Sequence, residues 1–160
     1  MTLKYLYGQD ELVAEFVARM HHEPGYGKCS AIGVTDENGE LIAGFVYRWF
    51  SVPGSHVMEM AIAALPGRQW LSRQTMAAMF QYPFLQCGAQ MILIRPKPVL
   101  EKTLRMLAVL GFKFAAVERL YGRDEDAIFC TLTYERWMAN KFNKRFKHHV
   151  VGTTDNRKAA

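Results

Sequence analysis

The chain has 160 residues, half of them hydrophobic, and a formal net charge of +5, which is enough for one buried domain and too little charge for a surface devoted to nucleic acid. No apolar run approaches the roughly 20 residues of a membrane span, and the opening Met1-Thr2-Leu3-Lys4-Tyr5 lacks the charged and apolar regions of a secretory signal, so a cytoplasmic protein without membrane contact is expected. Cys29, Cys87 and Cys130 are odd in number and too widely spaced for paired metal ligands, which predicts reduced thiols, no disulfide framework and no metal.

Residues 2–7 alternate weakly and predict a short strand. Over 9–20, Leu12, Val13, Phe16, Val17 and Met20 recur at helical spacing, with Gly8 or Asp10 at the start. Pro24, Gly25 and Gly27 then break the helix into a surface loop over 21–28, the kind of segment that carries substrate contacts. Runs 29–34 and 41–51 are apolar and β-rich, and Asn38-Gly39 between them predicts a hairpin. Beyond Pro53-Gly54, residues 57–64 read as a strand carrying one carboxylate, Glu59. A Pro66-Gly67 turn with Arg68 follows, and Ser72 caps a helix over 73–82 that Pro83 ends.

Residues 90–95 predict a buried strand. Pro96-Lys97-Pro98 leads into a helix with Val99, Leu100, Leu104, Leu107, Ala108 and Leu110 on its apolar side and Gly111 as its C-cap. Strands over 112–120 and 127–133 flank a turn at 122–126, and 134–142 adds a terminal helix. The segment 152–160 is small and polar and predicts disorder. The strand, helix, strand unit over 56–95 is long enough for a parallel crossover among hairpins, so the sheet should be mixed and the fold α/β, of the α+β type.

The junction from Glu59 to Arg73 carries the chemistry. A helix N-terminus presents unpaired backbone N–H groups and partial positive charge, so Arg68 and Arg73 beside it suit a phosphate-bearing ligand lying next to Glu59.

The element order, the carboxylate on the fourth strand, the turn and helix after it, and Leu110-Gly111-Phe112 together resemble the GNAT superfamily of acyl-CoA-dependent N-acetyltransferases. Trp70-Leu71-Ser72-Arg73 with Phe80-Gln81-Tyr82-Pro83-Phe84-Leu85-Gln86-Cys87-Gly88, and the earlier Ala31-Ile32-Gly33-Val34 and Leu41-Ile42-Ala43-Gly44, are similar to a small GNAT subgroup often encoded by phages. The resemblance spans residues 3–138. It implies a single GNAT domain over 1–142, with a mostly antiparallel central sheet flanked by helices on both faces, and a basic tail over 143–160. It also implies acetyl-CoA as co-substrate and direct acetyl transfer to a small-molecule or protein amine, in the host cytoplasm if phage-encoded.

By the same resemblance Glu59 is the general base. Small neighbours on its face suit it to take a proton, directly or through water, from an ammonium acceptor. Met60, Ala61 and Ile62 lie along the pantetheine arm, with an N–H of Met60 or Ala61 for the oxyanion. Arg68, Trp70, Leu71, Ser72 and Arg73 form the phosphate turn, although Trp70 and Ser72 stand where the family commonly has small residues. Lys97, with Lys102 one turn on, is placed to meet phosphates. The family's helix tyrosine, an acid for the departing thiolate, is absent near Leu107. Tyr121 replaces it if the last strands curl toward the cleft.

Each role has an ordinary structural alternative. Glu59 reads equally as a strand-face carboxylate paired with Arg48 or Arg68. His21 and His22 read as exposed loop residues or acceptor contacts. Tyr26, Tyr47, Arg48 and Trp49 read as an acceptor wall or as packing. The tail, with Lys141, Lys144, Arg145, Lys147, His148 and His149, reads as a solubilising end or as a weak contact for nucleic acid or an acidic partner. The competing function is a GNAT-fold binding or structural protein that has lost catalysis. Homo-oligomerisation stays open.

Overall fold

A computed structural model of the chain describes residues 2–50 and 52–141. Its β-branched and aromatic runs form seven strands: β1 (Lys4–Leu6), β2 (Ser30–Thr35), β3 (Leu41–Trp49), β4 (Val57–Ala64), β5 (Met91–Ile94), β6 (Lys113–Gly122) and β7 (Glu125–Thr133). They make one sheet in the order β1-β2-β3-β4-β5-β7-β6. Only β4 and β5 pair in parallel, because a helix intervenes between them. All other neighbours are antiparallel.

Helices cover both faces, as expected. Helix α1 (Asp10–His21) lays Val13 and Val17 against Ala31, Val46 and Ala63. Helices α2 (Arg73–Gln81) and α3 (Glu101–Val109) cover the opposite face, where Met79, Phe80 and Leu107 join Phe45, Tyr47, Met58, Met60 and Ile92 in the main core. Helix α4 (Tyr134–Ala139) adds Trp137, and Thr133 caps it by accepting from the Arg136 N–H at 3.3 Å.

Gly33 and Gly44 stand opposite each other beneath α1. A methyl group on Gly44 would lie 2.9 Å from both Val13 and Val17 side chains, and one on Gly33 would lie 3.1 Å from Val13. Hydrogen is the only side chain that lets the helix sit this low.

Two expectations are corrected. Pro83 does not end the chain's helical course: α2 stops at Gln81 and a π-helical turn, Tyr82–Gln86, runs through the proline. Pro83 stands in the first turn of this new segment, where its missing N–H is no loss, and the Cys87 N–H closes the turn on the Tyr82 carbonyl at 3.0 Å. The apolar side of α3 is narrower than its composition implies. Leu107 and Leu110 are buried while Ala108 between them is exposed, since only residues three apart follow the seam onto the sheet, and Val99 and Leu100 are exposed because the helix starts only after them, at Glu101. Aromatic side chains knit this core together: Phe84 stacks on Trp137 with ring centres 5.0 Å apart, and Trp70 lies 5.8 Å from Phe45.

Cys130 is buried and Cys29 and Cys87 are half-buried, all three as free thiols. Among the described residues no helix is long and apolar enough to cross a membrane, and no cluster of His, Cys, Asp and Glu is arranged to hold a metal. Phe142 of the expected terminal helix, and the whole tail over 143–160, lie outside the described residues.

Candidate active site

Strands β4 and β5 run together for three rungs, Val57 with Met91, Met58 with Ile92 and Glu59 with Leu93, and then part. β5 ends at Ile94, where Pro96 and Pro98 cannot continue a ladder, while β4 runs on to Ala64. The gap opens into a cavity of about 760 Å³, within the size range of small-molecule sites. Its walls include Glu59 to Ala64, Ile94 to Pro98, the loop from His21 to Tyr26, Trp70 and Leu71, and one side of α3 from Lys102 to Leu107.

The backbone lining this gap follows from the ladder. Leu65 N–H donates to Ile42 and Phe50 N–H donates to Val57, both at 2.8 Å. Alternation along an antiparallel pair then commits Glu59, Ala61 and Ala63 to β3 and turns the N–H and C=O of Met60, Ile62 and Ala64 the other way. Met60 N–H closes the last rung with β5. Ile62 and Ala64 face the space that β5 vacates.

Glu59 sits at the head of the gap with its side chain 12 % exposed, on the α1 face beside Ala61 and Ala63. Arg95 donates to its Oε1 at 2.8 Å, and Arg48, its cross-strand neighbour, donates to the same oxygen at 3.4 Å. Among the described residues Oε2 has no hydrogen-bond partner. The pairing with Arg48 is therefore present, Arg68 is not involved, and the second partner is Arg95. That residue follows β5 directly, one position past the last buried isoleucine, and its position at the end of a parallel strand was the available signal. The Arg95 guanidinium lies 5.9 Å from both the Phe50 and Phe129 rings, and Arg48 lies 5.6 Å from that of Tyr26. Burial pushes the Tyr26 hydroxyl up to about 12, with Glu23 adding to the shift.

His21 lines the cavity and is not a free loop residue. Its Nε2 donates to the Ile62 carbonyl at 2.6 Å. His22, with φ of 54°, closes α1 in the left-handed region and also lines the cavity. The four residues from Tyr26 and Tyr47 to Trp49 divide: Tyr26 and Arg48 line the cavity, Tyr47 is buried with its hydroxyl donating to the Met79 carbonyl at 2.7 Å, and Trp49 is exposed.

The expected phosphate turn is also divided. Trp70 and Leu71 line the cavity. Ser72 caps α2 through the Thr75 N–H at 3.0 Å, and its hydroxyl lies 3.0 Å from that of Thr75, which in turn bonds the Trp70 carbonyl at 2.8 Å and meets Tyr5 at 2.9 Å. Arg73 is exposed at the first position of α2, a first turn without any acidic residue. Arg68 points elsewhere: it bridges Asp36 and Glu40 at the β2–β3 turn and does not line the cavity. Two acidic groups close by attract its guanidinium more strongly than a distant helix end.

Tyr121 does reach the cavity. The β6–β7 register breaks between Val117 and Gly122, Arg119 takes a φ of 59°, and Asp126 accepts the Arg119 N–H at 2.9 Å. This irregular stretch brings the Tyr121 ring over Lys97, with Nζ 4.9 Å from its centre. Burial raises the Tyr121 hydroxyl above its ordinary value, against an opposing contribution from Arg95. Leu107 is fully buried where the cavity meets α3.

No family model matches the sequence, and a search of curated proteins finds no match. Solved structures do resemble it. The ribosomal-protein-S5-alanine acetyltransferase of Vibrio fischeri is 16% identical, over 84% of this chain and 93% of that one, with a TM-score of 0.62. The spermidine/spermine N-acetyltransferase SpeG of Vibrio cholerae, in mutant form, is 15% identical, over 88% and 98%, with a TM-score of 0.65. YncA of Salmonella typhimurium, assigned as an acetyltransferase and solved with acetyl-CoA, is 15% identical, over 83% and 94%, at 0.62. At such identities the likeness is one of architecture: this chain has the GNAT fold.

Proposed function

We propose that the protein is a GNAT-superfamily N-acyltransferase that moves acetyl from acetyl-CoA to an amine. The observation that carries this reading is the parting of β4 and β5 immediately beyond Glu59, which leaves a carboxylate at the head of a cavity lined by outward-facing backbone. The residues present fit the co-substrate. The Ile62 C=O and the Ala64 N–H and C=O face the amides of a pantetheine arm, Ala61 and Ala63 keep the wall low, and Arg73 with Lys97 and Lys102 supplies positive charge for the diphosphate.

Acetyl-CoA, when bound, supplies an acetyl thioester that an amine attacks, ejecting CoA as its thiolate. Glu59 takes the proton of the acceptor ammonium on Oε2, while Arg48 and Arg95 fix Oε1 and hence the direction of the free oxygen. Ile62, the first residue beyond the last rung whose N–H faces the gap, holds the developing oxyanion in place of Met60 or Ala61. Tyr121, kept protonated by burial, stands ready to return a proton to the leaving sulfur. A thiolate also leaves unaided because its ordinary pKa is modest, so Leu107 in place of a helix tyrosine does not prevent the reaction.

The narrower likeness to phage-type members rests on the strings around Trp70 and Phe80, and with it comes a place in the host cytoplasm. The test is a thermal-shift titration. Acetyl-CoA should raise the melting temperature, as a ligand selective for the native state must, and Arg73→Ala should reduce the shift. No shift at saturating co-substrate would leave the chain a GNAT-fold binding protein.

A further inference from the structure

Resting on that transferase reading, we infer that the acceptor is an amine carrying its own carboxylate, an α-amino acid or a close relative, and that Arg48 and Arg95 recognise this group. Around Glu59 the cavity holds two guanidinium groups against two carboxylates, Glu59 itself and the exposed Glu23 at the rim. Lys97 and Lys102 approach from the side given to the diphosphate. A chain of ammonium groups would set like charges against both guanidinium groups as well as meeting the two carboxylates. A zwitterion places one charge of each sign where the opposite sign stands.

The donor inventory points the same way. Each guanidinium has five N–H donors, and the bonds to Glu59 use Nη2 of each. Arg95 Nε is buried and, among the described residues, unpaired, a position that costs stability until an acceptor arrives. Aromatic rings near both guanidinium groups, Phe50 and Phe129 by Arg95 and Tyr26 by Arg48, limit their swing. A ligand carboxylate can accept in parallel from such a fork while its amine turns to Glu59 Oε2. Tyr26, a neutral phenol held well above its ordinary titration range, offers one further donor to an anion.

The experiment has two readouts on the full chain. Calorimetry in the presence of free CoA measures binding of the common α-amino acids, their α-carboxamides and spermidine, and CoA release from acetyl-CoA measures turnover on the same panel. At least one amino acid should bind and react at least about tenfold better than its carboxamide, the discrimination expected of a charge-assisted pair. Arg48→Gln should weaken that amino acid's binding by a similar factor while the acetyl-CoA thermal shift stays unchanged. Equal handling of acid and carboxamide, preference for spermidine, or an acetyl-CoA shift with no amino acid bound would each overturn the inference and leave the transferase reading standing. Absence of the acetyl-CoA shift would remove that reading and the inference with it.

Discussion

His21 and Ile62 are joined by a 2.6 Å hydrogen bond from the imidazole Nε2 to the backbone carbonyl, so the last residue of α1 satisfies a β4 group that has lost its neighbour in β5. The same carbonyl faces the path proposed for pantetheine. His21→Ala should leave it unpaired in the ligand-free protein, lower stability by about 1 kcal/mol, and strengthen acetyl-CoA binding two- to tenfold, roughly the same free energy regained. Calorimetry and thermal melts measure both. Weaker binding would show that the imidazole supports the ligand and does not compete with it.

Glu59→Gln keeps the side chain's size and an acceptor oxygen for Arg95 while removing the proton acceptor. Turnover should fall by about a hundredfold or more, with acetyl-CoA affinity nearly unchanged. Wild-type turnover in the variant would end the role of Glu59 as base.

Tyr121→Phe should lower kcat by about tenfold and leave the acetyl-CoA KM in place, since the ring still covers Lys97. Because the hydroxyl titrates above its ordinary value near 10, the wild type should keep this proton donor across neutral and mildly alkaline pH. The loss on removing it should be constant over that range. An effect that grows with pH would assign the tyrosine another part.

Asp36 is 4 % exposed. Desolvation pushes its carboxyl up, but the Glu40 and Asn38 N–H groups and the Arg68 guanidinium together outweigh it and hold the pKa below the ordinary value. A depressed carboxylate contributes stability that is fully present above its unfolded pKa, near 3.9, and is lost as pH falls through the lower folded value. Asp36→Asn should therefore lower the melting temperature more at neutral pH than in strong acid, where the two proteins converge. A gap that persists in acid would show that the effect is steric.

Strand and helix positions were readable because apolar spacing and turn chemistry act locally. Asn38-Gly39, Gly111 and the Ser72 cap stand where their sequence signals put them. Pro83 misled because proline is forbidden inside a helix but welcome in the first turn of the next segment, and the two cases differ only in a hydrogen bond five residues long. Within the site, Glu59 was legible as a lone carboxylate in an apolar strand. Its partner Arg95 was signalled only by its place at the end of a parallel strand, because 36 residues separate the two and the rung of Glu59 with Leu93 is what brings them together. Arg68 showed the converse limit: its nearness in sequence to the α2 start gave no sign of Asp36 and Glu40 on another turn.

The facing pair Gly33 and Gly44 has an effect beyond the two strands that contain it. By letting α1 settle into the sheet, it fixes the altitude of the helix's far end, and His21, His22 and the loop to Tyr26 overhang the cavity from that end. A single methyl there would act as a shim under a lever, tilting the roof of the site from beneath the helix. Access to this cavity is thus set partly by two residues that have no side chains to offer.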